Sequence, residues 1–339
     1  DETGRGIYED KAIKNLYASE YIWNSIKDNK TVGIIGEDKQ KGLTYVAEPI
    51  GVICGVTPTT NPTSTTIFKA MIAIKTGNPI IFAFHPSAQQ SSKHAAKVIL
   101  EAAIKAGAPK DCIQWIEIPS IEATKQLMNH KDIALVLATG GSGMVKSAYS
   151  TGKPALGVGP GNVPTYIEKT AHIKRAVNDI IGSKTFDNGM ICASEQVMVV
   201  DKEVYSDVVK EFKLHQTYFV NKNELQQLED AIMNEDKTAV KPDIVGKSAV
   251  NIAKLSGISV PEKTKLLVAE IDGIGKDYPL SREKLSPVLA MVTAKSTRHA
   301  LQICEDTLKF GGLGHTAVIH TEDSQLQQKF GLKMKACRV

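Results

Sequence analysis

Short apolar runs alternate with longer amphipathic stretches along most of the chain. The runs are rich in β-branched residues and are bounded by glycine or proline, a pattern that favours buried strands. Strands that alternate with helical stretches are joined by crossovers, so the pattern predicts an α/β fold with parallel strands. The predicted strands are 47–56, 79–84, 113–118, 133–138, 165–168, 196–200, 265–269, 287–292 and 316–320.

The stretches between these strands repeat apolar residues every three to four positions, which is typical of helices packed on a sheet. In the stretch 88–106, Ser87 stands where an N-cap is expected, and Gly107 followed by Pro109 marks the end of the helix. The predicted helices are 65–75, 88–106, 121–129, 143–150, 173–184, 202–214, 224–233, 247–255, 297–308 and 324–331.

Glycine and proline cluster between Thr139 and Pro164, without a pattern long enough for a full element. We place a domain junction at the end of this cluster, so that residues 1–166 form one domain and residues 167–339 form another. A length of 339 residues fits two domains of about 150 residues each. Both ends of the sequence stop abruptly, and we therefore expect a truncated piece of a longer polypeptide.

Charge and hydropathy narrow the possible functions. The 41 Lys and Arg against 37 Asp and Glu give a net charge of +4 without a dense basic run, which does not favour nucleic-acid binding. The apolar runs are far shorter than the roughly 20 residues that span a bilayer, so we expect no membrane insertion. The histidines form neither an HExxH motif nor a Cys/His cluster, and we predict no metal site.

The positions of the cysteines bear on whether one of them is a catalytic nucleophile. They contain no CxxC pair and follow no signal peptide, which favours a reducing, cytoplasmic location. Cys192 lies between the turn 186–189 and the strand 196–200, and loops held between rigid elements often carry catalytic residues. Position alone leaves a nucleophile and a packed thiol both open for Cys192. The others are interpreted as packing or surface thiols: Cys54, Cys112, Cys304 and Cys337.

Two glycine-rich segments are candidates for close backbone contacts. Gly140, Gly141, Ser142 and Gly143 follow a predicted strand and open a helix, the geometry that holds a pyrophosphate. The dinucleotide fingerprint is incomplete there, so an ordinary tight turn remains open. The segment 157–162 has glycine at every second position from 157, which indicates either a close backbone approach or a domain hinge.

Several segments together resemble the aldehyde dehydrogenase superfamily. The run FDNGMICA at 186–193 resembles its nucleophile loop. More narrowly, the chain is similar to the coenzyme-A-acylating acetaldehyde dehydrogenases, above all to the N-terminal half of bifunctional aldehyde-alcohol dehydrogenases. The resemblance extends over essentially the whole chain, and its supporting segments are 55–64, 156–164, 283–288 and 310–316.

The resemblance implies a Rossmann-type cofactor domain followed by an α/β catalytic domain. It also implies that the Cys192 thiolate attacks an aldehyde carbonyl while Asn61 and the Cys192 backbone N–H stabilise the oxyanion, such donors being worth about 3 kcal/mol each. Transfer of a hydride to NAD then leaves a thioester on Cys192. His315 resembles a histidine near the family's active site, for which proton handling and simple packing both remain open.

The resemblance further implies where NAD binds. Glu283 matches the position that holds the nicotinamide ribose, and the Gly140–143 turn matches the pyrophosphate side. Hydrolysing relatives have KPAE where this chain has HPSA at 85–88, so the acid that discriminates against NADP is missing and NADP remains open beside NAD. The other cofactor-binding residues implied are Thr57, Pro58, His85 and Gly157.

One departure from the hydrolysing relatives bears on the reaction. Their LELGG motif supplies a glutamate base for water, whereas the corresponding run here is LGVGPG at 156–161. Water is a poor nucleophile without a positioned base, but a thiol with a pKa of about 8.5 is already partly thiolate at neutral pH. The sequence therefore favours transfer to coenzyme A. We expect oxidation of acetaldehyde to acetyl-CoA, and the reverse, in fermentative ethanol metabolism.

Two alternatives remain beside this expectation. One is a hydrolytic or phosphorylating semialdehyde dehydrogenase on the same fold, and the other is a non-catalytic module for filament assembly. The expected partners are acetaldehyde and CoA or acetyl-CoA. We also expect a homo-oligomer, with filaments formed through a full-length chain.

Overall fold

The computed structural model describes residues 2–339, which form two compact units. Unit 1 comprises residues 2–4 and 8–159, and unit 2 comprises residues 5–7 and 160–339. The division after Gly159 falls within the glycine-rich segment, whereas the predicted junction after residue 166 lies inside a strand of unit 2.

Unit 1 contains a parallel sheet flanked by helices and a separate antiparallel hairpin. Its strands are β1 (Gly33–Asp38), β2 (Leu43–Ala47), β3 (Val52–Val56), β4 (Ile80–Ala83), β5 (Ile113–Trp115), β6 (Ile133–Thr139) and β7 (Ala155–Val158). Its helices are α1 (Tyr8–Leu16), α2 (Ile22–Ile26), α3 (Pro62–Lys75), α4 (Gln89–Lys105), α5 (Ile121–Asn129) and α6 (Ser142–Tyr149).

The parallel sheet of unit 1 has the strand order β5-β4-β3-β6-β7. The chain therefore starts in the centre at β3, extends to one side through β4 and β5, and then returns to the other side of β3 through β6 and β7. Apolar side chains on both faces are buried against the helices, as expected for a parallel sheet. The order reverses between β3 and β6, and the loops at their carboxyl ends form the crevice in which sheets of this kind bind ligands.

Unit 2 is built around a second, larger parallel sheet. Its strands are β8 (Val163–Ile167), β9 (Glu195–Asp201), β10 (Thr217–Val220), β11 (Leu266–Glu270), β12 (Val288–Ala294), β13 (Gly314–Thr316), β14 (Val318–His320) and β15 (Ala336–Arg338). Its helices are α7 (Ile173–Thr185), α8 (Tyr205–Lys213), α9 (Lys222–Ile232), α10 (Ala249–Leu255), α11 (Thr297–Thr307) and α12 (Ser324–Lys333).

Alternate residues along the central strands of unit 2 bury against helices on opposite faces. The sheet order is β10-β11-β12-β9-β8-β14, and β13 pairs separately with β15. On β9, Met198 and Val200 face α7 and α8, whereas Val197 and Val199 face α11 and α12. Because both faces are covered, every residue of β9 is buried, which explains the apolar run at its centre, residues 197–200.

The predicted α/β class is confirmed, and most predicted elements overlap observed ones. The predicted strand 47–56 is wrong at its start, because Ala47 ends β2 and Gly51, with a positive φ of 117°, separates it from β3. The predicted strand 316–320 is divided between β13 and β14. Short or mostly exposed elements carry little periodic signal, so α1, α2, the β1–β2 hairpin and several short edge strands were not predicted.

The predicted Ser87 cap is also wrong. Residues Pro86–Ala88 form a 3-10 turn, in which the His85 side chain accepts a hydrogen bond from the Ser87 backbone, and α4 begins only at Gln89. The Glu2 carboxylate instead accepts hydrogen bonds from the backbone N–H groups of Gln90 and Ser91, at 2.9 and 2.7 Å. A side chain distant in sequence thus satisfies the first turn of α4.

None of the helices between residues 2 and 339 combines the length and the apolar character needed to cross a bilayer.

We predict that Phe212→Ala lowers the free energy of unfolding by about 3–5 kcal/mol. Phe212 is fully buried on α8 and packs edge-on against Phe219, with ring centroids 6.4 Å apart, so the truncation leaves a cavity. Leu214, two residues further along, is 69% exposed, and Leu214→Ala should change stability by less than about 0.5 kcal/mol. Urea unfolding measures both, and equal effects would contradict the assigned core face.

Candidate active site

Cys192 follows a turn whose backbone is unusual. Asp187, Asn188 and Gly189 are consecutive residues with positive φ values of 49°, 51° and 67°. Aspartate and asparagine tolerate this left-handed conformation better than most residues, but it still costs conformational energy. The surrounding contacts must therefore stabilise the turn.

Those contacts come from segments far away in the sequence. The backbone N–H of Ile7 donates to Asp187 Oδ1 at 2.7 Å, and Asn188 Nδ2 donates to the Gly246 carbonyl at 2.9 Å. A Cβ on Gly189 would lie 2.6 Å from the Ser286 carbonyl oxygen, so only glycine fits there. Tertiary contacts thus stabilise the FDNG turn and hold the start of the Cys192 loop in place.

Cys192 forms a pair with a histidine from β13. His315 Nε2 lies 3.2 Å from Cys192 Sγ, and His315 Nδ1 lies 2.9 Å from Thr316 Oγ1. Burial, together with the nearby Arg338 cation, lowers the pKa of His315 below its usual value of about 6.5. The imidazole is therefore neutral at pH 7, and the tautomer protonated on Nδ1 directs the Nε2 lone pair at the thiol.

Gly161 lies close to both the Cys192 backbone and the His315 ring. A Cβ on Gly161 would overlap the carbonyl oxygen of Cys192, so this close approach requires glycine. The neighbouring Asn162 is buried, and its Nδ2 donates to the carbonyls of Ser281 and Thr307 at 2.8 and 3.0 Å. The close backbone approach predicted for segment 157–162 is confirmed at Gly161, and the division between the units falls in the same segment.

Glu283 is tied to the same glycine. The Gly161 backbone N–H donates to Glu283 Oε1 at 2.9 Å. Burial raises the pKa of Glu283 to about 7, although the Gly161 N–H and the Lys184 and Lys284 cations act in the opposite direction. The structure therefore brings together Cys192, His315 and Glu283, with Gly161 in contact with all three.

Two buried lysines fix the loop that carries Glu283. Lys184 Nζ donates to Gln196 Oε1 at 2.9 Å, and the Lys284 backbone N–H donates to the same oxygen at 3.0 Å. Lys284 Nζ donates to the carbonyls of Leu280 and Arg282, both at 2.7 Å. Burial lowers the pKa of both lysines. Gln196 thus joins the start of β9 to the Glu283 loop.

The cofactor residues predicted in unit 1 lie at one edge of its sheet. They follow the carboxyl ends of different parallel strands, which all meet at that edge. Thr57 and Pro58 follow β3, His85 follows β4, Gly140–143 follow β6, and Gly157 lies near the end of β7. The strand order reverses between β3 and β6, so these loops flank the expected crevice.

The chemistry of this edge fits a dinucleotide. Thr57 Oγ1 is buried and has no hydrogen-bond partner among residues 2–339. A Cβ on Gly141 or Gly143 would meet open space, and no side chain caps the first turn of α6. Backbone N–H groups at a helix start attract phosphate, so the Gly140–143 turn is suited to a pyrophosphate.

His85, Ser87 and Thr59 form a small polar cluster next to the start of α4. The exposed His85 ring pairs with Ser87 Oγ at 2.8 Å through Nδ1, and Ser87 Oγ lies 3.2 Å from Thr59 Oγ1.

Asn61 occupies the N-cap position of α3 but does not cap it through its side chain. Its Oδ1 instead accepts a hydrogen bond from Lys14 Nζ at 2.6 Å, and its Nδ2 donates to Thr60 Oγ1 at 3.2 Å. Sequence reasoning found Asn61 by resemblance and missed Lys14, because no local pattern links two residues 47 positions apart.

Comparisons with known proteins show which family and which relatives the sequence resembles. The profile of the aldehyde dehydrogenase family matches residues 10–339. An aldehyde-alcohol dehydrogenase of Streptococcus pneumoniae serotype 4 is 55% identical over 346 residues, which cover 100% of this chain and 39% of that protein. This chain spans about two fifths of the length of the curated relatives that it matches with highest identity.

Solved structures match the fold closely. An acetylating aldehyde dehydrogenase from Geobacillus thermoglucosidasius superposes with a TM-score of 0.96 at 49% identity, over 99% of this chain and 74% of that one. A propionaldehyde dehydrogenase from Rhodopseudomonas palustris, solved with bound propionyl-CoA, has a TM-score of 0.86 at 32% identity, over 99% of this chain and 73% of that one.

We predict that iodoacetamide alkylates Cys192 first among the cysteines at pH 7. Burial raises the pKa of Cys54 to about 12 and also raises the pKa of Cys304, so both should react very slowly. The exposed Cys337 serves as the internal reference. Peptide mass spectrometry over a time course gives the order.

The contribution of His315 is tested by the variant His315→Ala. Without the imidazole to accept the thiol proton, we expect alkylation of Cys192 at pH 7 to slow about tenfold. In the wild type, the rate of Cys192 alkylation should fall only when the pH drops through the lowered pKa of His315, because a protonated imidazole cannot accept the thiol proton. Labelling of Cys337 before Cys192 in the wild type would contradict the pairing.

Proposed function

Because this chain belongs to the aldehyde dehydrogenase family, we propose that the protein oxidises acetaldehyde to acetyl-CoA, and catalyses the reverse, in fermentative ethanol metabolism. The observation that carries the proposal is the contact between Cys192 Sγ and His315 Nε2 at 3.2 Å. A thiol beside a neutral imidazole, on a braced loop, is the arrangement that produces a thiolate nucleophile.

In the oxidative direction, His315 Nε2 takes the Cys192 proton as the sulfur bonds to the aldehyde carbon. The carbonyl oxygen then carries the negative charge, and we assign its stabilisation to Asn61 Nδ2 and the Cys192 backbone N–H. Bound NAD supplies the acceptor for the hydride that leaves this carbon. Cys192 is left as a thioester, and His315 returns its proton to solvent.

CoA then completes the reaction. His315 Nε2 takes the proton of the CoA thiol, whose sulfur attacks the thioester carbon and releases Cys192. No carboxylate occupies the LGVGPG run at 156–161, so a water molecule lacks the base that the hydrolysing relatives provide there. This supports transfer to CoA over hydrolysis, as does the similarity to the acetylating aldehyde dehydrogenase of G. thermoglucosidasius.

We assign nucleotide binding to the first domain, predicted as residues 1–166, and catalysis to the second, predicted as residues 167–339. In the first domain, Gly140, Gly141, Ser142 and Gly143 hold the pyrophosphate. The other assigned contacts with the cofactor are made by Thr57, Pro58, His85 and Gly157. In the second domain, Glu283 accepts hydrogen bonds from the nicotinamide ribose. We propose NAD as the cofactor and leave NADP as the alternative that the HPSA run permits.

We further propose a homo-oligomer that acts in the cytoplasm. The β1–β2 hairpin supports the first point, because it exposes large apolar side chains that a partner surface would cover; they are Ile34, Ile35, Leu43, Tyr45 and Val46. The free cysteines among residues 2–339 support a reducing compartment. Filament formation through a full-length chain belongs to the same proposal.

The reaction is tested by following NADH from acetaldehyde with and without CoA. We expect sustained turnover only with CoA, and no more than about one NADH per site without it, since the thioester then accumulates. Cys192→Ser should reduce turnover by about 10³-fold or more, whereas Cys112→Ser should leave it unchanged. Equal sustained rates with and without CoA would identify a hydrolytic enzyme instead.

The role of Glu283 gives a separate prediction for cofactor affinity. Its pKa is about 7, so the carboxylate that accepts ribose hydroxyls is progressively protonated below that pH. We expect the Kd for NAD to rise by up to about tenfold per pH unit below 7, because one proton is linked to binding. In Glu283→Gln the pH dependence should vanish, and in the control Glu203→Gln it should persist. Calorimetric titration measures the Kd, and an unchanged slope in Glu283→Gln would refute the assignment.

A further inference from the structure

One face of α1 contacts the loop that leads into α3. Lys11 Nζ donates to the Thr60 carbonyl at 3.5 Å, Lys14 Nζ donates to Asn61 Oδ1 at 2.6 Å, and Asn15 Oδ1 accepts from Thr63 Oγ1 at 2.8 Å. Positions 11, 14 and 15 share one helix face. The helix therefore contacts both this loop and the first turn of α3, and Lys14 contacts the Asn61 side chain.

The conformation of Asn61 departs from the usual behaviour of its position. Asparagine before the first turn of a helix normally accepts a backbone N–H of that turn with its side-chain oxygen. Asn61 makes no such bond, although it is the N-cap of α3, and its φ and ψ of −136° and 57° fall outside the extended region typical of caps. The oxygen is committed to Lys14 instead, so the local capping preference is overridden by a contact from α1.

An ammonium group determines the orientation of an amide, because it can only donate. If the Asn61 amide were rotated by half a turn, Nδ2 would face Lys14 Nζ, and two donors would oppose each other at 2.6 Å. The contact therefore keeps Oδ1 towards α1 and Nδ2 on the side of Thr60. The Lys14 ammonium group also withdraws electron density from the Asn61 amide, which makes the Nδ2 hydrogens stronger donors.

We propose that Lys14 is the positioning residue for the oxyanion donor Asn61. Its ammonium group holds the amide so that Nδ2 meets the negative oxygen that forms when Cys192 adds to a carbonyl, and its charge favours that oxygen over the neutral carbonyl. The inference rests on the proposed function, because it takes Asn61 as the donor.

This role predicts different effects on two reactions of the same sulfur. With 4-nitrophenyl acetate, Cys192 attacks the ester carbonyl, an oxyanion forms and collapses, and 4-nitrophenolate leaves with the electron pair of the broken C–O bond to give the Cys192 thioester. With iodoacetamide, the thiolate displaces iodide from a saturated carbon and no oxyanion forms. Neither reaction requires NAD or CoA, so both report on the residues of the chain alone.

The test compares Lys14→Met with Lys11→Met, which removes the same charge one turn earlier on the same helix face. Loss of a direct oxyanion donor typically costs about 10²–10³-fold in rate, and an indirect contributor should cost less. We therefore expect Lys14→Met to slow the nitrophenolate burst about 10–50-fold with no change in iodoacetamide alkylation of Cys192. Lys11→Met should stay within about threefold of the wild type in both reactions, and Lys14→Arg should recover part of the burst rate.

A double-mutant cycle separates positioning from a general loss of structure. If Lys14 acts through Asn61, Lys14→Met should add little to the loss already caused by Asn61→Ala. In aldehyde turnover, Lys14→Met should lower kcat more than it changes KM. Equal slowing of acylation and alkylation, or full additivity with Asn61→Ala, would overturn the proposal.

The two proposals fail in distinguishable ways. If the wild-type protein shows a normal nitrophenolate burst but CoA does not accelerate NADH formation, the acylating function is wrong while the Lys14 test still stands. If CoA-dependent turnover is normal and the Lys14→Met burst is unchanged, the positioning role is wrong and the proposed function is unaffected.

Discussion

The candidate nucleophile depends on a left-handed turn that its own sequence cannot stabilise. Asp187, Asn188 and Gly189 adopt positive φ values only because the segment 5–7 and the carbonyls of Gly246 and Ser286 surround them. A backbone held in this way resists relaxation, so Cys192 is presented to His315 without a large entropy cost at the moment of reaction. The same rigidity explains why glycine is required at 161 and 189, where backbones come into direct contact.

In unit 2, buried lysines constrain the loop that carries Glu283. Lys184 and Lys284 are fully buried; Lys184 Nζ donates to Gln196, and Lys284 Nζ donates to backbone carbonyls. A buried cation without such partners would strongly destabilise the fold, so these bonds constrain where the Glu283 loop can lie. Burial in this loop raises the pKa of Glu283 to about 7, although both lysine cations act in the opposite direction.

In unit 1, the order of the parallel strands brings several loops to one edge of the sheet, and Lys14 contacts a side chain of one of these loops. The parallel order β5-β4-β3-β6-β7 brings four loops to one edge regardless of their individual sequences. Within that edge, Asn61 gives up its ordinary capping role to contact Lys14, and α3 begins without a side-chain cap. A local preference that is overridden in this way marks a position where function outweighs stability.

Patterns of near neighbours determined the α/β class, most helices and strands, and the prominence of Cys192, because periodicity and turn chemistry depend on residues a few positions apart. The missed α1, the β1–β2 hairpin and the Glu2 cap of α4 depend on contacts that local patterns do not encode. Only the tertiary structure decided the pairing of Cys192 with His315, 123 positions away, and of Asn61 with Lys14. Such pairs form when packed sheets and helices bring remote segments together, and no periodicity along the chain records that proximity.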